Sequence, residues 1–306
     1  MRCLVTGGAG FIGSNLVDAL VSRSDEVRIL DDISTGFREN LNPAATLIEA
    51  DIADADAVAR AVEGCEVVFH QAAHRAVFRS VEHPLSTDTA NVHGTLTLLE
   101  AARAAGVRRV VYASSSSVYG GSETRPTPET APSLPRSPYA VTKLTGEHYC
   151  RVYTELHGLE TVALRYFNVF GPRQRPDSMY AAVIPLFIDA LRNGKPPVVH
   201  GDGKQTRDFT YISDVVAANI AAADAPADAA AGKAYNIANG GEYSLLEMLD
   251  ILQGLLGTSI TPVHTDPRPG DVRHTCADPA AATRDLGWTA QVGFRDGLAK
   301  TVAATS

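Results

Sequence analysis

Tyr139 and Lys143 stand four residues apart in Ser137-Pro138-Tyr139-Ala140-Val141-Thr142-Lys143, and on a helix that spacing puts a phenol and an ammonium one turn apart on one face. A cation beside a phenol favours the phenolate, so the pair forms a proton-transfer device whose tyrosine is expected to ionise below its ordinary value of about 10. Alone, the two residues read equally as part of a solvated helix. Three other features give them context. Ser114-Ser115-Ser116-Ser117 follows the apolar run Arg109 to Tyr112 and so places hydroxyls at a strand's carboxyl end, the edge where open parallel sheets bind ligands. Gly7, Gly10 and Gly13 of GGAGFIG follow the first apolar run. Their three glycines serve a tight turn, backbone approach to a pyrophosphate, and close helix packing. The helix N-terminus behind them offers unpaired amides to an anion. The next strand ends in Asp31-Asp32. A carboxylate at Asp31 accepts hydrogen bonds from both hydroxyls of an adenine ribose and repels the extra phosphate of NADP, which favours NAD. Asp32 reads as a turn cap before Ser34-Thr35-Gly36. Asp51, followed by Ile52, suits either the adenine edge or a helix N-cap.

Positioning these residues takes alternating elements, and the chain supplies them. Short β-branched runs at Cys3 to Val5, Glu26 to Leu30, Thr46 to Glu49, Glu66 to Phe69, Arg109 to Tyr112 and Thr161 to Arg165 are separated by helical periodicity. The helical stretches are Phe11 to Val21, Ala55 to Val62, Leu96 to Ala105 and Tyr139 to His157. Strand and helix in strict turn imply a doubly wound α/β fold, a parallel sheet covered on both faces. After Gly171 the texture changes to prolines and glycines, with a helix-like run near Val215 to Ala222. The expected organisation is a Rossmann domain over residues 1–170 with a return segment at about 208–238, and a smaller interleaved lobe from 171–207 and 239–306. The substrate is expected between the two. Ala221 to Gly232, AAADAPADAAAG, is read as a surface helix end and linker.

The chain has 306 residues, 45% hydrophobic and 20% charged, enough for a sizeable core and far from a disordered composition. Lysine and arginine number 27 against 35 acidic residues, a net charge of −8, which excludes the broad basic footprint of a nucleic-acid binder. Cysteines at 3, 65, 150 and 276 show no disulfide or metal-ligand spacing and are read as thiols in a reducing compartment. His70 and His74 lack further ligands nearby, so no metal is expected. With no signal-peptide pattern before the first glycine turn and no run of about 18 apolar residues, a cytoplasmic protein without membrane contact is expected.

Taken together, the motifs resemble those of the extended short-chain dehydrogenase/reductase superfamily, and within it the UDP-glucose 4-epimerase branch with its UDP-N-acetylglucosamine and UDP-glucuronate relatives. The matching pieces are TGGAGFIGSNL, Asp31, HQAA at 70–73, Asn91, SSSSVYG at 114–120, SPYAVTK at 137–143, RYFNVFGP at 165–172, TRDFTYISD at 206–214 and RPGD at 268–271. The resemblance implies a tightly held NAD, contacted by Gly7, Gly10, Phe11, Ile12, Gly13, Asp31, Asp51, Ile52, Gln71, Ala72, Ala73, Asn91, Ser114, Tyr139, Lys143 and Tyr166. It implies that Tyr139 takes the proton of the sugar 4-hydroxyl, that Ser115 shares a hydrogen bond with that hydroxyl, and that Lys143 holds the nicotinamide ribose. For the UDP-sugar it implies Ser115, Ser116, Asn168, Arg207 and Arg268 on sugar and phosphates, Asp271 on the uridine ribose and Val183 near the base. Relatives pair through two long helices, so a homodimer is expected through about Asn91 to Ala105 and Tyr139 to Tyr153, with Leu96, Leu99, Val141, Leu144 and Val152 at apolar positions.

Two departures refine this. Ser116 and Ser117 replace the acidic pair of the dehydratases, which disfavours loss of water. Arg75 stands where relatives carry lysine or a small residue, and its contact is open between cofactor and substrate. Thr275 replaces a bulky tyrosine of glucose-restricted relatives and leaves room for an N-acetyl group. Arg175 in GPRQRPD resembles the arginine that meets the carboxylate in glucuronate epimerases. Asn168 in place of a threonine in that neighbourhood looks more like the neutral-hexose branch, so a neutral UDP-hexose is placed first and UDP-glucuronate second. Other classes are a non-catalytic NAD-sensing module and a dehydrogenase that releases NADH.

Overall fold

The computed structural model describes residues 1–75, 77–177, 182–267 and 272–305. Its first part runs β1 (Arg2–Thr6), α1 (Phe11–Ser22), β2 (Glu26–Asp31), β3 (Thr46–Glu49), α2 (Ala55–Val62) and β4 (Val67–His70). Then come α3 (Val77–Glu82), α4 (Pro84–Asp88), α5 (Gly94–Ala104), β5 (Arg109–Ser115), α6 (Pro138–His157) and β6 (Glu160–Tyr166). The remainder is β7 (Val169–Phe170), α7 (Val183–Arg192), β8 (Val198–His200), β9 (Thr206–Arg207), β10 (Thr210–Tyr211), α8 (Ile212–Asp224), α9 (Ala227–Ala230) and β11 (Lys233–Ile237). It closes with β12 (Tyr243–Ser244), α10 (Leu245–Leu256), β13 (Val263–Thr265), α11 (Ala280–Leu286) and α12 (Phe294–Ala304).

Seven parallel strands form the main sheet in the order β11-β6-β5-β4-β1-β2-β3. The order reverses between β1 and β4, which opens a crevice beyond their carboxyl ends, where such sheets take ligands. Alternate residues serve opposite faces: Val5 and Val111 pack with Leu16, Leu20, Val215 and Ala222, while Leu4, Val110 and Tyr112 pack with Val58, Leu98 and Tyr153. Burial on both faces explains why the strands read as unbroken apolar runs.

The loop-rich region after residue 171 adds pairs of short strands, β10 with β7, β12 with β9 and β13 with β8. Its apolar interior continues the first face of the main sheet, from Phe170 and Tyr211 to Phe209, Phe294 and Leu298. Phe209 stacks on Phe294 with ring centroids 4.7 Å apart. The AAADAPADAAAG stretch departs from its surface reading: Ala222, Ala223, Ala225 and Ala230 are buried. The reason is the buried Arg109, whose guanidinium donates to the carbonyls of Ala222, Ala223 and Ala225 at 2.9, 3.1 and 2.6 Å and thereby caps α8. Among the described residues no helix is long and apolar enough to cross a membrane.

The turn between β1 and α1 leaves no room for a side chain at Gly7 or Gly13. Gly7 has φ +69, and a Cβ on Gly13 would lie 2.1 Å from the Gly7 carbonyl oxygen. Gly13→Ala is therefore expected to push α1 off β1, destabilising the fold by about 2–3 kcal/mol, the scale of overpacking. A urea titration of the purified variant against wild type checks this.

Candidate active site

The crevice is one cavity of about 1690 Å³, larger than the several hundred cubic ångströms of an ordinary small-ligand pocket. It runs from the glycine turn across the carboxyl ends of β4 and β5 to the loop-rich region.

At one end, Gly7, Gly10, Phe11, Ile12 and Gly13 line the cavity. Gly10 is the N-cap of α1 and makes no side-chain cap bond, so the first amides of that helix are available to an anion. Asp31 ends β2 and lines the same wall. Its Oδ2 accepts from the Ala9 amide at 2.9 Å and its Oδ1 from the Ile33 amide at 2.8 Å, which leaves a lone pair on each oxygen for a ribose diol. Burial raises its pKa, and the two amides oppose that shift. Asp32 caps the following turn, accepting from the Ser34 amide at 2.9 Å. Asp51 and Ile52 line the cavity, and the N-cap option for Asp51 falls away: Asp54 caps α2, while Asp51 accepts from the Ala53 amide at 2.8 Å. These donors and acceptors fit a dinucleotide whose pyrophosphate rests on α1 and whose adenosine ribose meets Asp31.

The centre is built by α6 lying on β5. Ser137 caps the helix, its Oγ accepting from the Ala140 amide at 3.1 Å, and Pro138 occupies the first turn, where a missing N–H costs nothing. That start puts Tyr139, Lys143 and Glu147 on one face toward the strand's end. Strand β5 is longer than its apolar run, extending through Ser114 and Ser115. Lys143 Nζ donates to the Ala113 carbonyl at 2.7 Å and lies 5.0 Å from the centroid of Tyr112 and 6.0 Å from that of Tyr139. Burial pulls its pKa down to about 8.

The expected lowering of Tyr139 by Lys143 is corrected here. Burial raises the Tyr139 pKa, and the groups that oppose it are a hydrogen bond with Ser115 and the charge of Arg75; the Lys143 ammonium is turned to the Ala113 carbonyl instead. Arg75, left open by the sequence, thus stands at the tyrosine. Ser115 Oγ also accepts from the Ser117 amide at 3.2 Å, and Ser116 lines the cavity beside it. Ser114 lines the cavity too, but its hydroxyl bonds to Glu147. Gln71, Ala72, Ala73 and Tyr166 complete this wall. Gln71 Nε2 donates to the Tyr166 hydroxyl at 3.1 Å and to Asn219 Oδ1 at 2.9 Å.

Asn91, expected on the cofactor, is held here by protein groups. It is buried and absent from the cavity wall, lying in a π-helical turn, Thr89–His93, a distortion that recurs near functional sites. Its Oδ1 accepts from the His74 amide at 2.8 Å, and its Nδ2 donates to the His74 carbonyl at 3.1 Å and to Thr142 Oγ1 at 3.0 Å. It therefore braces the loop that carries Arg75 against the residue before Lys143. His70 sits between Thr6 and Thr95 at 2.7 and 2.9 Å, and burial lowers its pKa to about 3, so it is neutral.

At the far end Asn168, Val183, Arg207 and Thr275 line the cavity. Asn168 adopts φ +30, and its Nδ2 donates to the Asp208 carbonyl at 2.8 Å and to Thr275 Oγ1 at 3.3 Å. Asp208, which the sequence did not single out, is fully buried. Its carboxylate accepts from the amides of Asn239, Gly240 and Ala277 at 3.1, 3.2 and 3.0 Å. Its partners are backbone groups remote in sequence, so no motif announces it. Arg175 lines the cavity but its guanidinium is engaged elsewhere, paired with Glu39 at 2.8 Å and Asp177 at 2.7 Å and 4.1 Å from the Phe37 centroid. In the absence of a ligand, these two carboxylates are its partners. Arg268 and Asp271 lie outside the described residues.

Comparison with known proteins agrees with this geometry. The profile of the NAD dependent epimerase/dehydratase family matches residues 3–238. A UDP-glucose 4-epimerase of Mycolicibacterium smegmatis is 43% identical, over 99% of this chain and 97% of its own. Among solved structures, the UDP-glucose 4-epimerase of Thermotoga maritima with UDP-glucose superposes with a TM-score of 0.96 at 36% identity, covering 100% of this chain and 98% of that one. The UDP-N-acetylglucosamine 4-epimerase of Methanobrevibacter ruminantium, in complex with UDP-N-acetylmuramic acid, gives 0.94 at 39% identity, with 99% and 97% covered.

The burial of Lys143 has a direct consequence. In the ligand-free protein its ammonium is expected to lose its proton as the pH rises through about 8, whereas surface lysines keep theirs to about 10.4. A nitrogen-detected NMR titration of the lysine side chains, assigned with Lys143→Met, checks this; a Lys143 midpoint in the surface range would contradict it.

Proposed function

Because the chain belongs to the NAD dependent epimerase/dehydratase family, we propose that it interconverts the C4 epimers of a UDP-hexose, UDP-glucose with UDP-galactose and UDP-N-acetylglucosamine with UDP-N-acetylgalactosamine. The observation that carries this reading is the continuity of one cavity from the α1 amides past Ser115, Tyr139 and Lys143 to Arg207 and Thr275. It suits a dinucleotide and a nucleotide sugar meeting at a proton-transfer pair. NAD, when bound, supplies hydride exchange with the sugar C4. The side chains supply the rest.

In this reading Ser115 and Tyr139 hold the 4-hydroxyl, and Tyr139 accepts its proton as C4 becomes a ketone and returns it when the alcohol re-forms on the other face. Arg75 stabilises the phenolate. Lys143 keeps positive charge beside the site and exchanges its Ala113 carbonyl for a ribose hydroxyl as the dinucleotide seats. Both faces of the sugar must reach the same hydride donor, so the pyrophosphate is gripped while the sugar turns. Arg207, a planar guanidinium fork, suits that grip, and Thr275, with its hydroxyl tied to Asn168, is a short wall that leaves the sugar room. Ser116 and Ser117 offer no acid–base pair for dehydration. Engagement of Arg175 by Glu39 and Asp177 favours a neutral hexose over a glucuronate.

We also assign a two-fold dimer to the face where α3 and α4 pack on α6. Val81, Leu85 and Val141 are 63%, 82% and 49% exposed there, an apolar grouping that a second copy covers. Leu99, by contrast, is buried in its own core. Light scattering is expected to give twice the chain mass, and Leu85→Glu to give the monomer.

The function is tested by incubating purified protein, without added NAD, with UDP-glucose, UDP-N-acetylglucosamine and UDP-glucuronate separately and resolving 4-epimers by proton NMR. Epimers of the first two are expected, with glucuronate slower. Tyr139→Phe is expected to lose at least about a thousandfold in kcat while still binding UDP. Turnover that consumes added NAD in step with product would instead indicate a dehydrogenase.

A further inference from the structure

Glu147 has no part in the motifs discussed above, yet it stands at the junction of every element that shapes the centre. It follows Lys143 by four residues on the buried face of α6. Its Oε1 accepts from Ser114 and from Arg165 Nε at 2.9 Å, and its Oε2 accepts from Arg165 Nη2 at 2.7 Å. Two successive residues of β5 thus hold two residues of α6: Ala113 takes Lys143 and Ser114 takes Glu147.

Arg165 extends this contact away from the helix. It lies opposite Ser114 in the β5–β6 register, and its Nη1 donates to the Tyr119 hydroxyl at 2.7 Å and to the Glu129 carbonyl at 3.1 Å. Tyr119 donates to Asn236 Oδ1 at 2.7 Å, and Asn236 donates to the carbonyls of Thr127 and Asp278 at 2.9 and 3.2 Å. The chain of bonds ends at Asp278, three residues beyond Thr275 of the cavity wall.

We propose that Glu147, with Arg165 as its counter-ion, is a positioning residue that sets α6 on the end of β5 and keeps positive charge on Lys143. The proposal rests on the reading of Tyr139 and Lys143 as the proton-transfer pair. A neutral hydrogen-bonding residue would fill the space; what a carboxylate adds is charge in a site of low polarity. Lys143 otherwise faces groups that give it little. Tyr139 and the Cys150 thiol share its helix, Tyr112 stands on β5, and neutral His70 on β4. The Arg165 guanidinium is paired with Glu147, and that of Arg75 stands at Tyr139. Burial raises the Cys150 pKa, so the thiol carries no charge at neutral pH. Glu147 opposes the downward pull of burial on Lys143.

The test compares NAD-loaded wild type with Glu147→Gln/Arg165→Met, which removes both charges of the pair, so that neither partner is left without the other. Melting temperature, bound NAD, and kcat and KM against pH are read with the fastest of the three UDP-sugars above. The double variant is expected to keep NAD and a KM within about twofold. Its kcat at pH 9 is expected to fall about tenfold, as the alkaline limb moves down by about one pH unit. A folded double variant with the wild-type limb and kcat would overturn the proposal. Should it not fold, Glu147→Asp decides, since it keeps the charge but withdraws it by one methylene. Lower kcat with unchanged KM and bound NAD supports the role, and unchanged kcat overturns it. Lys143→Met is run alongside. If it retains full turnover, the underlying reading of the pair fails, and the proposal with it.

Discussion

An ammonium buried at the carboxyl edge of a parallel sheet is the constraint around which this molecule is organised. Lys143 is 3% exposed and donates to the Ala113 carbonyl at 2.7 Å. A buried cation without compensation is costly, so the surroundings answer it with a strand-end carbonyl, two aromatic rings and a carboxylate one turn along. The Glu147–Arg165 pair brings its own demand, because removing one partner of a buried ion pair costs about 3–5 kcal/mol. The arrangement stands only as a set. That interdependence explains why so much hydrogen bonding converges on residues 113–119, 143–147 and 165, and why the tyrosine at the cavity's centre is held by Ser115 and Arg75, while the lysine is spent on the backbone.

The loop-rich region has a different organiser. Its strands are two or three residues long, too short to fix geometry by laddering alone. The buried Asp208 carboxylate instead gathers amides from residues 239, 240 and 277, while its neighbours Arg207 and Asn168 turn to the cavity. A carboxylate receiving three backbone donors is a strong local anchor, although burial still raises its pKa to about 6. The aromatic group of Phe170, Phe209, Tyr211 and Phe294 ties that knot to the main sheet. The far end of the cavity is thus anchored beside Arg207 and open at the short Thr275 wall.

Most of the main sheet was legible because its information is local. Apolar runs bounded by glycines, and Tyr139 and Lys143 one turn apart, each signal themselves within a few residues. What stayed hidden is long-range. Asn91 reads as a ligand residue in its motif, but its amide is consumed by His74 and Thr142, and only the packing of α3, α4 and α6 shows it. The alanine-rich stretch after residue 221 looks like linker because the residue that buries it, Arg109, lies over a hundred positions earlier. Arg175 matches a motif arginine, yet Glu39 reaches it from the first quarter of the chain. Glu147 is the intermediate case: its place four residues after Lys143 was visible, whereas its partner on β6 was not.

For a sugar to be oxidised on one face and reduced on the other, the site must be stiff in two places and loose in a third. Hydride and proton donors must stay fixed relative to each other, because rates fall steeply with ångström-scale displacement. Here α6 and β5 are joined at two successive strand residues, Ala113 and Ser114, which meets that need. The anchored end must bear the binding energy, and the Asp208 knot beside Arg207 is built for load. Between them, Ser115, Ser116 and Thr275 line the cavity with small side chains. A tighter pocket would bind one epimer better and turn it over more slowly, since binding that favours the ground state adds nothing to kcat. The sparse wall at Thr275 follows from the same requirement as the crowded junction at Glu147.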